Sequence, residues 1–395
     1  MNKALAKVVF SEIVRIVTYP IRILPVKKNR ILFTGLTGGN AYDYSCNPKY
    51  LYEYMRDHFP GEFEYVWVVS DKKKYGFLQE EGVKLIKHFT VSSFPMLLTA
   101  GVIVTNGSYA PWFPFRRHQY VINTWHGGGA YKKVENERPD ANWATRKRAE
   151  FCAANIDLFL ASCKEQEKQM IRTTYRYKGE VLRAGTPRND RIVRGEVRDM
   201  ADRVRKRYGI PDNGRIVLYA PTYRRTSVPV IMDSDYLLDI LDKTEALGTE
   251  KWYFMCRYHR YQDESMDIRV TGNHIIDVID YPDMQELLGA ADMLITDYSS
   301  CVWDYAFLKR PCFLFVPDKD EYTSNTGFYV GPEKWPFAQA ASMEELENRI
   351  RTYDQKEADM LIDEHLEHLG SYETGECCRM VAERICDERG KRDNE

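Results

Sequence analysis

At 395 residues the chain is longer than one ordinary hydrophobic core organises, so two domains are expected. Its 44% hydrophobic, 29% charged and 13% aromatic residues exclude long low-complexity or disordered tracts. A formal net charge of -2 gives no global basic field, which argues against a dedicated nucleic-acid binder; nine cysteines without a C-x-x-C pair fit a reducing cytoplasm.

The first expected element is a basic amphipathic leader over 1–28. Lys3, Lys7, Arg15, Arg22, Lys27 and Lys28 stand against Glu12 alone, and Leu5, Val8, Val9, Ile13, Ile16 and Val17 recur at helical spacing. Lys7, Glu12, Arg15 and Pro20 interrupt any twenty-residue apolar span, so the segment is expected to lie on an anionic bilayer rather than cross it. From Ile31 short apolar runs alternate with helical patterns, the mark of βαβ units and parallel sheets. Strands are expected near 31–34, 63–69, 83–86, 102–105, 120–124, 157–161 and 181–184, and again near 215–220, 252–257, 275–278, 292–296 and 311–315. The charged stretch 195–213, closing on Gly209, Pro211, Asn213 and Gly214, marks the link, so the expected domains are 29–205 and 206–395. These would be two Rossmann-like halves facing each other. The tail from 342 reads as helices that could pack on either domain, with Glu364, His365, Glu367 and His368 on a polar surface.

In open parallel sheets ligands collect beyond the carboxyl ends of the strands. Five segments rich in Gly, Pro, His, Arg and Ser fall there: Thr124–Gly129, Gly185–Asp190, Ala220–Arg224, Arg257–Arg260 and Thr296–Ser300. His126 follows an apolar strand and precedes three glycines that let backbone approach a ligand; its near-neutral intrinsic pKa suits a general base. His259 holds the equivalent place in the second half, between Arg257 and Arg260. Ser299 and Ser300 precede a helix-like stretch whose free N–H groups would take a phosphate, although ordinary N-capping explains one of them. Thr222 belongs to the same set, Asp297 and Asp304 offer acceptors for polyol hydroxyls, and Lys132, Lys133, Arg188, Arg224 and Arg257 are the cations available for a transferred phosphoryl group. Asp233-Ser-Asp235, Asp318-Lys-Asp320 and the His365/His368 pair lack further ligand spacing; solvated positions are expected, with no bound metal and no cofactor.

The order T-W-H-G at 124–127, G-T-P-R-N-D at 185–190, Y-A-P-T-Y-R at 219–224, R-Y-H at 257–259 and A-D-M-L-I-T-D-Y-S-S at 291–300, with W-D-Y at 303–305 and K-R-P at 309–311, resembles the CDP-glycerol glycerophosphotransferase family over roughly residues 30 to 330. The resemblance implies an α/β, GT-B fold and a CDP-glycerol or CDP-ribitol donor held largely by the second half. An acceptor hydroxyl would attack the polyol-linked phosphorus, releasing CMP. It implies His126 and His259 as catalytic, Ser299 and Ser300 as donor-phosphate contacts, and Asp304 as a polyol contact. A lipid-linked polymer acceptor and the inner face of the cell membrane follow from the same likeness. The chain departs from the family pattern where Gly128, Gly129, Ala130 and Tyr131 replace a proline-containing run before Lys132 and Lys133, and where Arg260 replaces the proline after the second histidine. A GT-B glycosyltransferase using a nucleotide sugar and a non-catalytic polymer-binding protein are the rival readings.

Overall fold

A computed structural model describes residues 13, 14, 16–37, 41–88, 90–108, 113–222, 224, 232–244, 251–258 and 274–393. They fall into two compact units, the first made of the chain up to His126, Lys133–Asp190 and the chain from Tyr372, the second of Gly127–Lys132 and Arg191–Ser371.

The first unit contains β1 (Lys27–Thr34), the short antiparallel pair β2 (Leu36–Thr37) and β3 (Ala41–Tyr42), then β4 (Glu64–Val69), β5 (Lys84–Lys87), β6 (Ala100–Thr105), β7 (Tyr120–Asn123), β8 (Leu158–Ala161) and β9 (Glu180–Arg183). Seven of these make a parallel sheet in the order β5-β4-β1-β6-β7-β8-β9. β6, β7 and β8 are buried along their whole length, which is why they read as unbroken apolar runs rather than as alternations. Phe33, Trp67, Tyr52, Val104 and Ile122 share one core with Val381 and Ile385 of the last helix, Cys377–Asp393.

The second unit contains β10 (Arg215–Tyr219), β11 (Trp252–Cys256), β12 (Ile275–Asp277), β13 (Met293–Thr296), β14 (Cys312–Phe315) and β15 (Ala338–Ala340), a parallel sheet in the order β12-β11-β10-β13-β14-β15. All the expected strands are present; β15 is an addition, a three-residue Ala-Gln-Ala edge without the β-branched or aromatic residues that announce a strand. Both sheets reverse direction once, between β1 and β6 in the first unit and between β10 and β13 in the second, and these switch points are where a ligand crevice opens beyond the strand ends.

The chain changes unit at Asp190–Arg191, ahead of the charged stretch 195–213 that composition marks as a link. That stretch, helix-like in its sequence, forms the helix Arg198–Tyr208, which buries Met200 and Val204 in the second unit and ends on Gly209 in the left-handed region. The C-terminal helices divide, with Met343–Arg351 and Gln355–Leu369 in the second unit and Cys377–Asp393 in the first.

Residues 1–12, most of the expected amphipathic leader, lie outside the described residues. Of its remainder, Ile16, Val17, Tyr19 and Ile23 are exposed while Val14 is buried. The segment is tied to the first unit by Arg116, which donates to the carbonyls of Leu24 and Arg22. Among the described residues no helix is long and apolar enough to cross a membrane.

Candidate active site

In the first unit the switch point is closed by one side chain. Asn106, buried directly after β6, accepts from the Leu36 backbone N–H at 2.7 Å and donates to the Leu36 carbonyl at 3.1 Å. This fixes the Asn106 carbonyl, which stands 2.8 Å from His126 Nδ1. A carbonyl only accepts, so Nδ1 carries the proton and Nε2 keeps its lone pair. His126 is exposed to solvent, yet the protein packed around it lowers its pKa by desolvation, and the nearby Arg188 guanidinium lowers it further. An accessible, neutral imidazole with a free Nε2 is the form a general base requires.

The backbone under His126 is held by groups distant in sequence. Asn47, in the first turn of the helix Cys46–His58 and fully buried, donates to the carbonyls of Thr124 (3.1 Å) and Trp125 (2.7 Å) and accepts from the backbone N–H of Arg188 (3.1 Å). Arg188 Nη1 in turn donates to the His126 carbonyl at 2.7 Å and to Cys46 Sγ at 3.3 Å. Arg188 is thus buried beneath the histidine. The rest of its motif anchors the C-terminus: Thr186 and Asn189 donate to Glu373, and both oxygens of Asp190 accept from the N–H groups of Cys377 and Cys378 at the start of the last helix.

Two of the three glycines after His126 are required by packing. A Cβ on Gly128 would lie 2.0 Å from Cδ1 of Trp303, a fully buried indole; one on Gly129, at φ +75°, would lie 2.6 Å from the Tyr131 ring and 2.9 Å from Trp303. Tyr131 follows into the second unit, its ring near Trp335 and its hydroxyl 3.0 Å from His365 Nε2. His365 is therefore buried, not on a polar surface, and desolvation pushes its pKa down to about 4. Gly128→Ala is expected to destabilise the second unit by ~1–3 kcal/mol, because the indole cannot yield. A lowered urea midpoint reports this, and an unchanged one would contradict the packing role.

In the second unit the switch point carries Thr222 and Asp297. Thr222 donates to Asp297 through its N–H (2.9 Å) and its hydroxyl (2.6 Å). Arg224 is committed as well: Nε and Nη2 grip both oxygens of Asp318 (2.6 and 3.1 Å), Nη2 pairs with Asp297 at 2.8 Å, and Nη1 donates to the Thr222 carbonyl at 2.7 Å. Its guanidinium lies over the rings of Tyr298 and Tyr322, which stack 4.0 Å apart, and these carboxylates raise its pKa. Asp318, expected on a solvated loop, is an arm of this ion pair. Asp233 caps the helix Ser234–Lys243.

Ser299 and Ser300 are partly exposed at the carboxyl end of β13. Ser300 stands at the N-cap of the six-residue helix Cys301–Ala306 with no side-chain capping bond, and Ser299 Oγ accepts from the Cys301 N–H at 3.3 Å. Asp304 is buried on that helix and accepts from Gln285 Nε2 at 2.9 Å. Arg257 is half-buried, its N–H bonded to the Tyr219 carbonyl at 2.8 Å. Lys132 donates to the Tyr322 hydroxyl at 3.1 Å. His259 lies outside the described residues. The expected site thus divides by unit: His126 and Arg188 in the first, Lys132, Thr222, Arg224, Arg257, Ser299, Ser300 and Asp304 in the second. Sequence reasoning missed Asn47, Asn106 and Tyr131. Only Asn106 carries a local signal, its place directly after a buried strand.

The model of the family described as CDP-Glycerol:Poly(glycerophosphate) glycerophosphotransferase matches residues 17–387. The chain is 30% identical over 318 residues to the teichoic acid poly(glycerol phosphate) polymerase of Bacillus subtilis (strain 168), an alignment covering 79% of this chain and 42% of that protein. It is 28% identical over 337 residues to the protein of the same description from Bacillus spizizenii, covering 82% and 84% respectively. The chain therefore spans under half of one such relative and most of the other. A solved structure of the wall teichoic acid polymerase TagF, 24% identical, superposes with a TM-score of 0.80 over 100% of both chains, which shows that the fold is shared.

Proposed function

Because the chain belongs to the CDP-glycerol:poly(glycerophosphate) glycerophosphotransferase family, we propose that it transfers glycerol phosphate, or a related polyol phosphate, from a CDP-activated donor to a hydroxyl of a membrane-associated surface polymer or its primer, releasing CMP. The observation that carries the reading is the tautomer of His126, an exposed residue whose Nδ1–H is committed to the Asn106 carbonyl, which leaves Nε2 as the acceptor. In the proposed step the acceptor oxygen bonds to the polyol-linked phosphorus, its proton passes to His126 Nε2, and the bridging P–O bond breaks with its electron pair leaving on CMP.

The donor is assigned to the second unit. Ser299, Ser300 and Arg257 contact its phosphates, and Thr222 shapes the loop beside them. Arg224 and Asp304, both buried and partnered, position these loops. Arg188 and Lys132 act in the same indirect way, one beneath His126 and the other against Tyr322. His259 keeps the second catalytic role the family resemblance gives it. The reading places the protein at the inner face of the cell membrane, where its exposed apolar segment around Ile16 and Ile23 meets anionic lipid and a lipid-linked acceptor.

The test is CMP release from CDP-glycerol and from CDP-ribitol, each with a lipid-linked glycerol-phosphate primer analogue. Primer-dependent release from one donor is the expected result and names the polyol. Release from neither, with turnover of a nucleotide sugar instead, would replace the reading with a glycosyltransferase.

A further inference from the structure

Behind His126 lies an assembly of side chains that the proposed chemistry does not yet use. The imidazole stacks on the ring of Trp125, with centroids 4.4 Å apart and planes at 29°. Trp125 packs edge-on against Tyr175 at 5.8 Å. The Tyr175 hydroxyl reaches Glu135 Oε1 at 3.4 Å and Ser108 Oγ at 2.9 Å, and Ser108 Oγ itself donates to Glu135 Oε1 at 3.2 Å. The other carboxylate oxygen, Oε2, accepts from Arg148 Nη2 at 2.7 Å and Nε at 3.3 Å. Trp125, Tyr175 and Glu135 are all buried.

Two backbone outliers frame this assembly. Trp125 at φ 53° and Glu135 at φ 44° are both non-glycine residues in the left-handed region, a conformation that costs ~1–3 kcal/mol and persists only where the surroundings enforce it. Ser108 stands two residues beyond Asn106, so one short loop holds the imidazole through a carbonyl and the carboxylate through a hydroxyl.

We propose that Glu135 is a positioning residue for His126: through Tyr175 and Trp125 it fixes the plane of the imidazole, and its negative charge favours the imidazolium that forms when the base takes a proton. Arg148, on the far side of the carboxylate, attenuates that charge. The groups that act on the ring oppose one another: Glu135 and the Asn106 carbonyl favour the protonated ring, and Arg188 disfavours it. The inference rests on the reading of His126 as the base, but it is tested without turnover.

The experiment follows the ring resonances of His126 by NMR against pH, in histidine-labelled protein with eight histidines, the resonance assigned by its loss in His126→Asn. In Glu135→Gln, which keeps the shape and removes the charge, the titration midpoint is expected to fall. In Arg148→Gln, which leaves the carboxylate uncompensated, it is expected to rise. Opposite displacements cannot come from a common loosening of the structure, whereas displacement of both in one direction, or of neither, overturns the inference. Arg148 is half exposed, so Arg148→Gln decides alone if Glu135→Gln fails to fold: a rise supports the inference and its absence overturns it. In the CMP-release assay Glu135→Gln is expected to lower kcat about tenfold, part of the ~10²–10⁴ that a positioned base contributes, with KM for CDP-glycerol unchanged. Inactivity of His126→Asn beside unmoved titrations would sink this inference and leave the base assignment standing. Full activity of His126→Asn beside opposite titrations would remove the base assignment and the catalytic part of the inference with it, leaving only the charge coupling between Glu135 and the ring.

Discussion

His126→Ala is expected to lose ~10²–10⁴ of turnover, the contribution of a positioned general base, while its thermal midpoint changes little. The residue is exposed, and its imidazole makes one described hydrogen bond, to the Asn106 carbonyl, and a stacking contact with Trp125. The wild-type pH profile carries a second signature of the same group. Its pKa lies below the usual 6.5, chiefly through desolvation and then through Arg188, so more than half of the molecules still hold a free Nε2 at pH 6.5. The acid limb of the activity profile should therefore be centred below pH 6.5. An acid limb centred above pH 6.5, or a His126→Ala variant near wild-type turnover, would remove His126 from the base's role.

Arg224→Met is the substitution expected to cost the most stability. It deletes the cation shared by Asp297 and Asp318, and the methionine can neutralise neither carboxylate. The Arg224 side chain is 2% exposed, Asp297 3% and Asp318 16%, so little solvent screening is available to the acids left behind. Breaking a buried pair by removing one partner costs ~3–5 kcal/mol, against almost nothing for an exposed pair such as Lys147–Glu150. The measurement is the urea midpoint of Arg224→Met beside Lys147→Met. A large drop in the first and none in the second is the expected pattern. Equal, small changes would mean that the guanidinium is free for substrate, as the sequence alone would have it.

The contrast between these two residues shows where sequence reading stops. Both stand in short polar segments just after buried strands, and on residue type alone both are site candidates. The His126 imidazole has its one described hydrogen-bond partner in a backbone carbonyl twenty residues away, and the residue remains exposed. Arg224 meets Asp297 and Asp318, more than seventy residues further along, and is sealed by them and two tyrosine rings. Ser299 and Ser300 are partly exposed where their pattern puts them, whereas Asp304, one helical turn on, is turned inward onto Gln285. The glycines at 128 and 129 read as room for a ligand until Trp303 is seen against them.

What the sequence determined by itself is the alternation of strand and helix, the parallel sheets and the residues at their carboxyl ends, because apolar periodicity, turn residues and strand length are local properties of the chain. What only the tertiary structure decided is which of those residues are free and which are spent on holding others. Asn47 under Trp125, Asn106 across the switch point, Glu373 gathering Thr186 and Asn189, and the return of Cys377–Asp393 to the first unit all join positions far apart in the chain. A buried polar group must find a partner, and the partner it finds is set by packing in three dimensions, where sequence distance carries no weight.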